Sequence, residues 1–159
     1  MAEIDGALYR QVLGHFATGV TVITAVDSGE PVGMAANSFT SVSLDPPLVL
    51  FCAGTSSTTW PRIDAAGAYA VNILAGDQEE VSRKFAAKDG DRFEGVGWST
   101  AVTGSPILDG ALAYLDCTID ARHDAGDHVL VVGRVVDLAV PREGPPLLFF
   151  RGGYADLAP

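Results

Sequence analysis

Short apolar runs rich in β-branched residues alternate along this chain with a few stretches of helical periodicity. The first periodic stretch, DGALYRQVLGHFA (5–17), sets Leu8, Val12, Leu13 and Phe16 on one helical face, with Asp5 as the cap and Gly19 as the stop. VTVITAV (20–26) then reads as a strand, SGEP (28–31) as a turn, and VGMAANSF (32–39) as a second strand of small side chains. SVSLDPP (41–47) predicts a loop kept extended by Pro46 and Pro47. PLVLFC (47–52) and AYAVNIL (68–74) are further strands, separated by a short helix that runs to Gly67. Another helix is predicted at 77–86, where Asp77 and Glu80 have capping-box spacing and Val81 and Phe85 point inward. The stretch 88–106 carries four glycines and little periodicity, the pattern of a long irregular connection. Strands return at 111–121, 128–140 and 147–150. In the first of these Leu112, Tyr114, Asp116 and Thr118 oppose Ala113, Leu115, Cys117 and Ile119. About seven strands with a few short helices predict a mainly β domain, a closed or partly closed antiparallel barrel.

The 159 residues fit one domain spanning 1–159, and 48% hydrophobic residues suffice for a proper core. No apolar run approaches the ~20 residues of a membrane span. MAEIDGALYR has neither the basic nor the apolar region of a signal peptide. Cys52 and Cys117 both sit in strand-like runs and read as reduced core residues, which fits a cytoplasmic protein. A net charge of −10 argues against nucleic acid or an acidic membrane as a partner. An anion would have to be held by local dipoles and a few basic side chains.

The familiar catalytic signatures are missing. There is no G-x-G-x-x-G, P-loop, G-x-S-x-G or C-x-x-C. His123, Asp124, Asp127 and His128 form the one metal-like cluster, but their spacing is not that of a zinc site, and no metal is assigned. Such a chain fits a cofactor enzyme, whose protein binds, orients and tunes while an organic group carries the electrons. Two segments fit that picture. After the apolar run ending at Cys52 come five hydroxyl residues, Thr55, Ser56, Ser57, Thr58 and Thr59, before the helix that starts near Thr58 or Thr59. One hydroxyl caps a helix; the surplus suits a phosphate, although a plain polar loop reads the same way. In MAANSFTSVS (34–43), Ala35, Ala36 and Ser38 permit close backbone approach and Asn37 both donates and accepts.

FATGVTVIT (16–24), GMAANSFTSVSLDPPLVLFC (33–52), YAVNIL (69–74), GDH (126–128) and LLFFRGGY (147–154), in this order, resemble the short-chain NAD(P)H:flavin oxidoreductases, the reductase components of two-component flavin-dependent monooxygenases. The resemblance runs from about Tyr9 to Tyr154. It implies a split β-barrel of the FMN-binding, Greek-key type, a homodimer with flavin near the subunit interface, and a monooxygenase that receives the reduced flavin.

Residue by residue, the resemblance implies that Ala35, Ala36, Asn37 and Ser38, with Ser41, Val42 and Ser43, lie along the isoalloxazine and ribityl chain. Cys52, Ala53 and Gly54 lead into Thr55, Ser56, Ser57 and Thr58, which take the terminal phosphate. Lys84 with Phe85 and Arg92 with Phe93 supply a cation and an apolar wall, since the hydroxyl loop lacks the lysine that several relatives have there. His128 positions the nicotinamide for direct hydride transfer to the flavin. Arg151, Gly152, Gly153 and Tyr154 close the site, Arg151 toward a phosphate of NADH and Tyr154 stacking on a ring. FMN and FAD both remain open as cofactors. NADH is preferred as donor because no basic cluster is assigned to a 2′-phosphate. The alternative is a flavin-binding split barrel without turnover, a carrier or sensor; a pyridoxamine-phosphate type oxidase lacks the basic pocket it would need.

Overall fold

A computed structural model describes residues 2–158. Three short helices, α1 (Gly6–Gly14), α2 (Trp60–Ala66) and α3 (Glu79–Ala86), accompany twelve strands. The strands of the main sheet are β2 (Thr21–Asp27), β3 (Glu30–Ala36), β4 (Phe39–Ser43), β5 (Leu48–Gly54), β6 (Ala68–Ile73), β9 (Ala113–Ala125) and β10 (His128–Ala139). They run antiparallel in the order β3-β2-β6-β9-β10-β5-β4. The outer strands β3 and β4 are neighbours in sequence, separated only by Asn37 and Ser38. Three Cα–Cα steps from Ala36 to Phe39 span at most about 11 Å. The two ends of the sheet must therefore meet, and the sheet curls into a barrel that is split between β3 and β4.

Both faces of β2 are buried, which explains the unbroken β-branched run. Ile23 and Ala25 face the barrel interior with Phe51, Ile63, Tyr69, Val71 and Val131. The Phe51 ring meets Tyr69 edge-on at 4.9 Å and Trp60 at 6.1 Å, so α2 plugs one end of that core. Val20 and Val22 face a second core with Leu74, Phe85, Leu108 and Leu147. Two buried polar side chains join it to the sheet. Thr24 Oγ1 donates to Pro106 O at 2.6 Å, Asn72 Nδ2 donates to Val22 O at 3.1 Å, and Asn72 Oδ1 accepts from Leu108 N at 2.8 Å.

Four sequence expectations need correction. SVS in 41–43 lies in β4, because Phe39–Ser43 pairs with β5, and the turn follows with a cis Asp45–Pro46 bond. The 88–106 connection is not wholly irregular. Its β7 (Trp98–Thr100) pairs with β8 (Pro106–Leu108), and buried Asp116 ties it down by accepting from Val102 N and Thr103 N at 2.8 Å each. Asp77 caps nothing: it pairs with Arg142, Gln78 holds the cap position of α3, and Gln78 Oε1 accepts from Ala75 N. Finally, α1 stops at Gly14 and not at Gly19, because Gly14 O is taken by Arg151 N at 2.8 Å. Thr18–Gly19 then forms β1, which pairs with β11 (Leu148–Phe150); β11 in turn pairs with β12 (Gly153–Ala155). The predicted Asp5 cap is present: its Oδ1 accepts from Ala7 N at 2.9 Å. Cys117 is buried and its thiol is pushed up to about 12 by desolvation first and the Asp116 charge second; Cys52 is half-buried, and both are free.

Candidate functional site at the split of the barrel

An edge strand leaves one row of backbone N–H and C=O groups without a strand partner. The β3 edge faces such a row toward α3 and the 88–93 loop, and three cavities follow it from end to end. The first, 510 Å³, lies beside Glu30–Gly33 and is lined by Thr58, Thr59, Lys88 and Arg92. The second, 270 Å³, is walled by Ala35, Ala36 and Asn37 on one side and by Ser82, Ala86 and Tyr154 on the other. The third, 350 Å³, shares Asn37 and Phe149 with the second and ends at Arg10 and Arg151. Small side chains at Ala35, Ala36 and Ala86 keep the middle of this trough open. A flat ring can reach the free β3 backbone there.

Ser38 holds the split in place. Its hydroxyl donates to Cys52 O at 3.0 Å and accepts from Cys52 N at 3.1 Å, so the β3–β4 crossing is tied to β5. On the β3 side, Thr21 Oγ1 donates to Ala36 O at 2.5 Å. Ser41, Val42 and Ser43 lie beyond the split on β4 and line none of the three cavities.

The hydroxyl row divides its labour. Ser57, not Thr59, caps α2: its Oγ accepts from Thr59 N at 3.2 Å and Trp60 N at 3.1 Å. Thr55 Oγ1 donates to Asp127 O at 3.1 Å, on the side of the loop that faces the start of β10. Thr59 Oγ1 accepts from Arg92 Nη1 at 3.0 Å. Among the described residues Ser56 and Thr58 have no such partner, and Thr58 opens into the 510 Å³ cavity. Those two are the surplus donors.

The cations are less free than their positions in sequence suggest. Arg92 donates to Gly33 O at 2.8 Å and to Ala87 O, stitching the 87–92 loop to β3. Lys84 Nζ donates to Glu94 O and closes the base of the next turn. Phe85 is 1% exposed and stands behind β3, where a Cβ on Gly33 would come within 2.8 Å of its ring. It supports the trough from the core side, with Phe93 edge-on at 4.9 Å.

At the other end, Tyr154 is fixed from three directions. Its hydroxyl is 2.8 Å from Ser82 Oγ, its ring is edge-on to Phe149 at 5.5 Å, and Arg83 lies 4.8 Å over its centroid. The turn between β11 and β12 has Arg151 at φ +53° and Gly152 at +76°, a type I′ turn in which both central residues are left-handed. Asparagine or glycine is the usual choice there; an arginine costs about 1–2 kcal/mol more than glycine. Gly153 follows in β12 without lining the trough.

His128 opens β10 directly opposite Gly54. Its Nδ1 is 2.7 Å from Asp127 Oδ1, and this hydrogen bond is the main reason the Asp127 carboxyl is held below the usual carboxylate range. His128 lines none of the cavities along β3. Ala53 is buried in the barrel and Gly54 stands beside the imidazole. Within one chain, then, Ala35–Asn37, Thr58, Arg92, Phe93, Arg151 and Tyr154 gather on one trough, and His128 with Thr55 stands apart from it. Sequence reasoning missed Ser82, Lys88 and Arg10, and also Phe149, which lies in the LLFFRGGY segment but was given no role; all four line the trough.

Comparison with known proteins identifies the family of the chain. Residues 13–158 match the flavin reductase like domain. The reductase subunit HsaB of a flavin-dependent monooxygenase from Mycobacterium tuberculosis is 49% identical over 160 residues, covering 99% of this chain and 86% of that protein. A flavin reductase from Pseudomonas putida is 47% identical over 158 residues, covering 99% of this chain and 93% of its own. Among solved structures, the NADH:FAD oxidoreductase SgcE6 of Streptomyces globisporus, in complex with NAD and FAD fragments, superposes with a TM-score of 0.90 at 41% identity, covering 99% of this chain and 98% of that one. On the family match and these identities, the chain belongs to the flavin reductase like family.

Proposed function

We propose that this chain is an NADH-dependent flavin reductase that reduces FMN or FAD and supplies the reduced flavin to a partner monooxygenase. The observation that carries the reading is the trough along β3, with small residues in the middle, hydroxyls at one end and Arg151 at the other. Ala35, Ala36 and Asn37 would hold the ring system, and Ser56 and Thr58 its phosphate, with Lys88 as the cation that has no described partner. Bound flavin supplies a two-electron acceptor for the hydride of NADH. The chain's own part would be to bind both groups in the trough, to exclude water with Tyr154 and Phe149, and to orient the ring through β3 backbone groups. The small-molecule reaction is expected to involve one domain over 1–159, acting in the cytoplasm; the free cysteines agree with that compartment. Among the described residues no helix is long and apolar enough to cross a membrane.

The active form in this reading is a homodimer. A nine-residue helix is marginal in water without packing, and α1 buries no residue in its own chain. Leu8 and Val12 are 55% and 58% exposed, so a second copy is the natural cover for this face. Sedimentation should give about twice the 16.5 kDa chain mass, and Leu8→Glu should shift the equilibrium to monomer. A single 16.5 kDa species at micromolar concentration would count against the dimer.

A dimer also gives His128 its role. Because it stands away from the trough of its own chain, it serves the nicotinamide bound on the second copy. The His128→Ala variant should raise the KM for NADH about tenfold and slow flavin reduction, with flavin affinity within twofold of the parent. Unchanged NADH kinetics would remove His128 from the site.

A further inference from the structure

We propose that Arg10, together with Arg151, forms the subsite for the diphosphate of the reduced nicotinamide dinucleotide, with Tyr9 and Phe16 beside it as the surface for the adenosine. The inference rests on the function proposed above and adds to it a residue and a place for the half of the donor that does not react.

Arg10 and Arg151 both line the 350 Å³ cavity that continues from the ring site through Asn37 and Phe149, and both line an adjoining cavity of 310 Å³. Volumes of this order suit a nucleotide-sized group. Arg10 and Gly14 are four apart on α1 and so share one face of the helix. That face is the one on which Gly14 O receives Arg151 N, and a Cβ at Gly14 would stand 3.5 Å from Arg151 Cα. The Arg151 stem therefore starts against Gly14, one helical turn from Arg10 on the same face of α1.

Neither arginine has a carboxylate within ion-pair distance among the described residues, in a chain of twenty acidic and ten basic residues. Five of the other arginines are paired in this way. Arg151 also occupies a turn position where its side chain is an unfavourable choice, which is the pattern of a residue kept for what its side chain holds. Two guanidinium groups at one cavity match the two bridging phosphates of a dinucleotide through paired N–H donors. Tyr9 and Phe16 line the same cavity and offer aromatic faces to a purine.

The shared chemistry is a dinucleotide diphosphate, which both NADH and FAD carry, and the test separates them. ADP-ribose is titrated calorimetrically into the flavin-free protein and its Arg10→Gln and Arg10→Lys variants. Steady-state rates are then measured with NADH and with reduced nicotinamide mononucleotide, and affinities with FMN and FAD. The expected result is ADP-ribose binding that weakens about tenfold in Arg10→Gln and less in Arg10→Lys. The KM for NADH rises by a similar factor with kcat unchanged, and the KM for the mononucleotide stays within twofold. Absent ADP-ribose binding in the parent, equal affinity in parent and Arg10→Gln, or equal losses with both donors would overturn the subsite. A loss confined to FAD would overturn its assignment to the donor. If the parent oxidises no NADH yet ADP-ribose binding depends on Arg10, the reductase reading fails and the subsite stands.

Discussion

The Ala35→Leu protein should fold as the parent does and lose flavin affinity about a hundredfold, the upper end of what overpacking a filled site costs. Ala35 walls the 270 Å³ cavity at the centre of the trough, and leucine would place its branched end in the space proposed for the ring system. Because the residue borders open space and is only partly buried, the change should leave thermal unfolding within a few degrees of the parent. Flavin fluorescence titration and a melting curve on the same preparation check both halves. Undiminished flavin binding would place the ring elsewhere and would remove the trough as its site.

The second large effect concerns the barrel that shapes the trough. Gly133 sits in the middle of β10, next to a register shift against β9. A Cβ there would overlap the Tyr69 hydroxyl, lie 2.7 Å from Tyr69 Cζ and stand 3.1 Å from Cys117 Cβ. Tyr69 is fully buried against Phe51 and has no room to swing aside. Gly133→Ala should therefore destabilise the fold by about 3 kcal/mol, in the range of severe overpacking. The Tyr69 hydroxyl is buried without a hydrogen-bond partner among the described residues, and burial pushes its pKa up. Tyr69→Phe removes that unpaired group and should be neutral or stabilise by about 1 kcal/mol. It should also recover part of the Gly133→Ala loss, because it removes the hydroxyl overlap while the Tyr69 Cζ and Cys117 Cβ contacts remain. Urea unfolding of the two single variants and the double variant measures the coupling. Additive effects would show that Gly133 is needed for the bulge alone.

How much of this was legible in the sequence depends on whether the cause was local. The β-branched run at 20–26 and the alternation at 111–121 encode strands that each residue favours by itself, and both are present. The hydroxyl row announced a loop with more donors than one cap requires, and the structure leaves Ser56 and Thr58 over. What the sequence concealed was long-range. Strand β4 looks like a proline-bound loop because its partner β5 is supplied by the fold, and β7 is short and exposed. The split itself arises from two neighbouring strands at opposite ends of one sheet, which no periodicity records. Asp77 and Glu80 had the right spacing for a capping box, but Arg142 from a distant loop competes for Asp77. Arg10 is one arginine on an amphipathic helix until the Arg151 turn is brought against Gly14. The small side chains around Ala35 show in the sequence that a ligand could approach the backbone there; the apartness of His128 does not show, since it follows from where β10 begins.

The most direct test of the account is the oxidation of NADH by the purified protein with FMN, with FAD and without flavin, followed by the loss of nicotinamide absorbance. Oxidation that requires added flavin and saturates with both NADH and flavin is the predicted result. A protein that binds flavin and leaves NADH untouched would contradict it and make the trough a binding site without turnover.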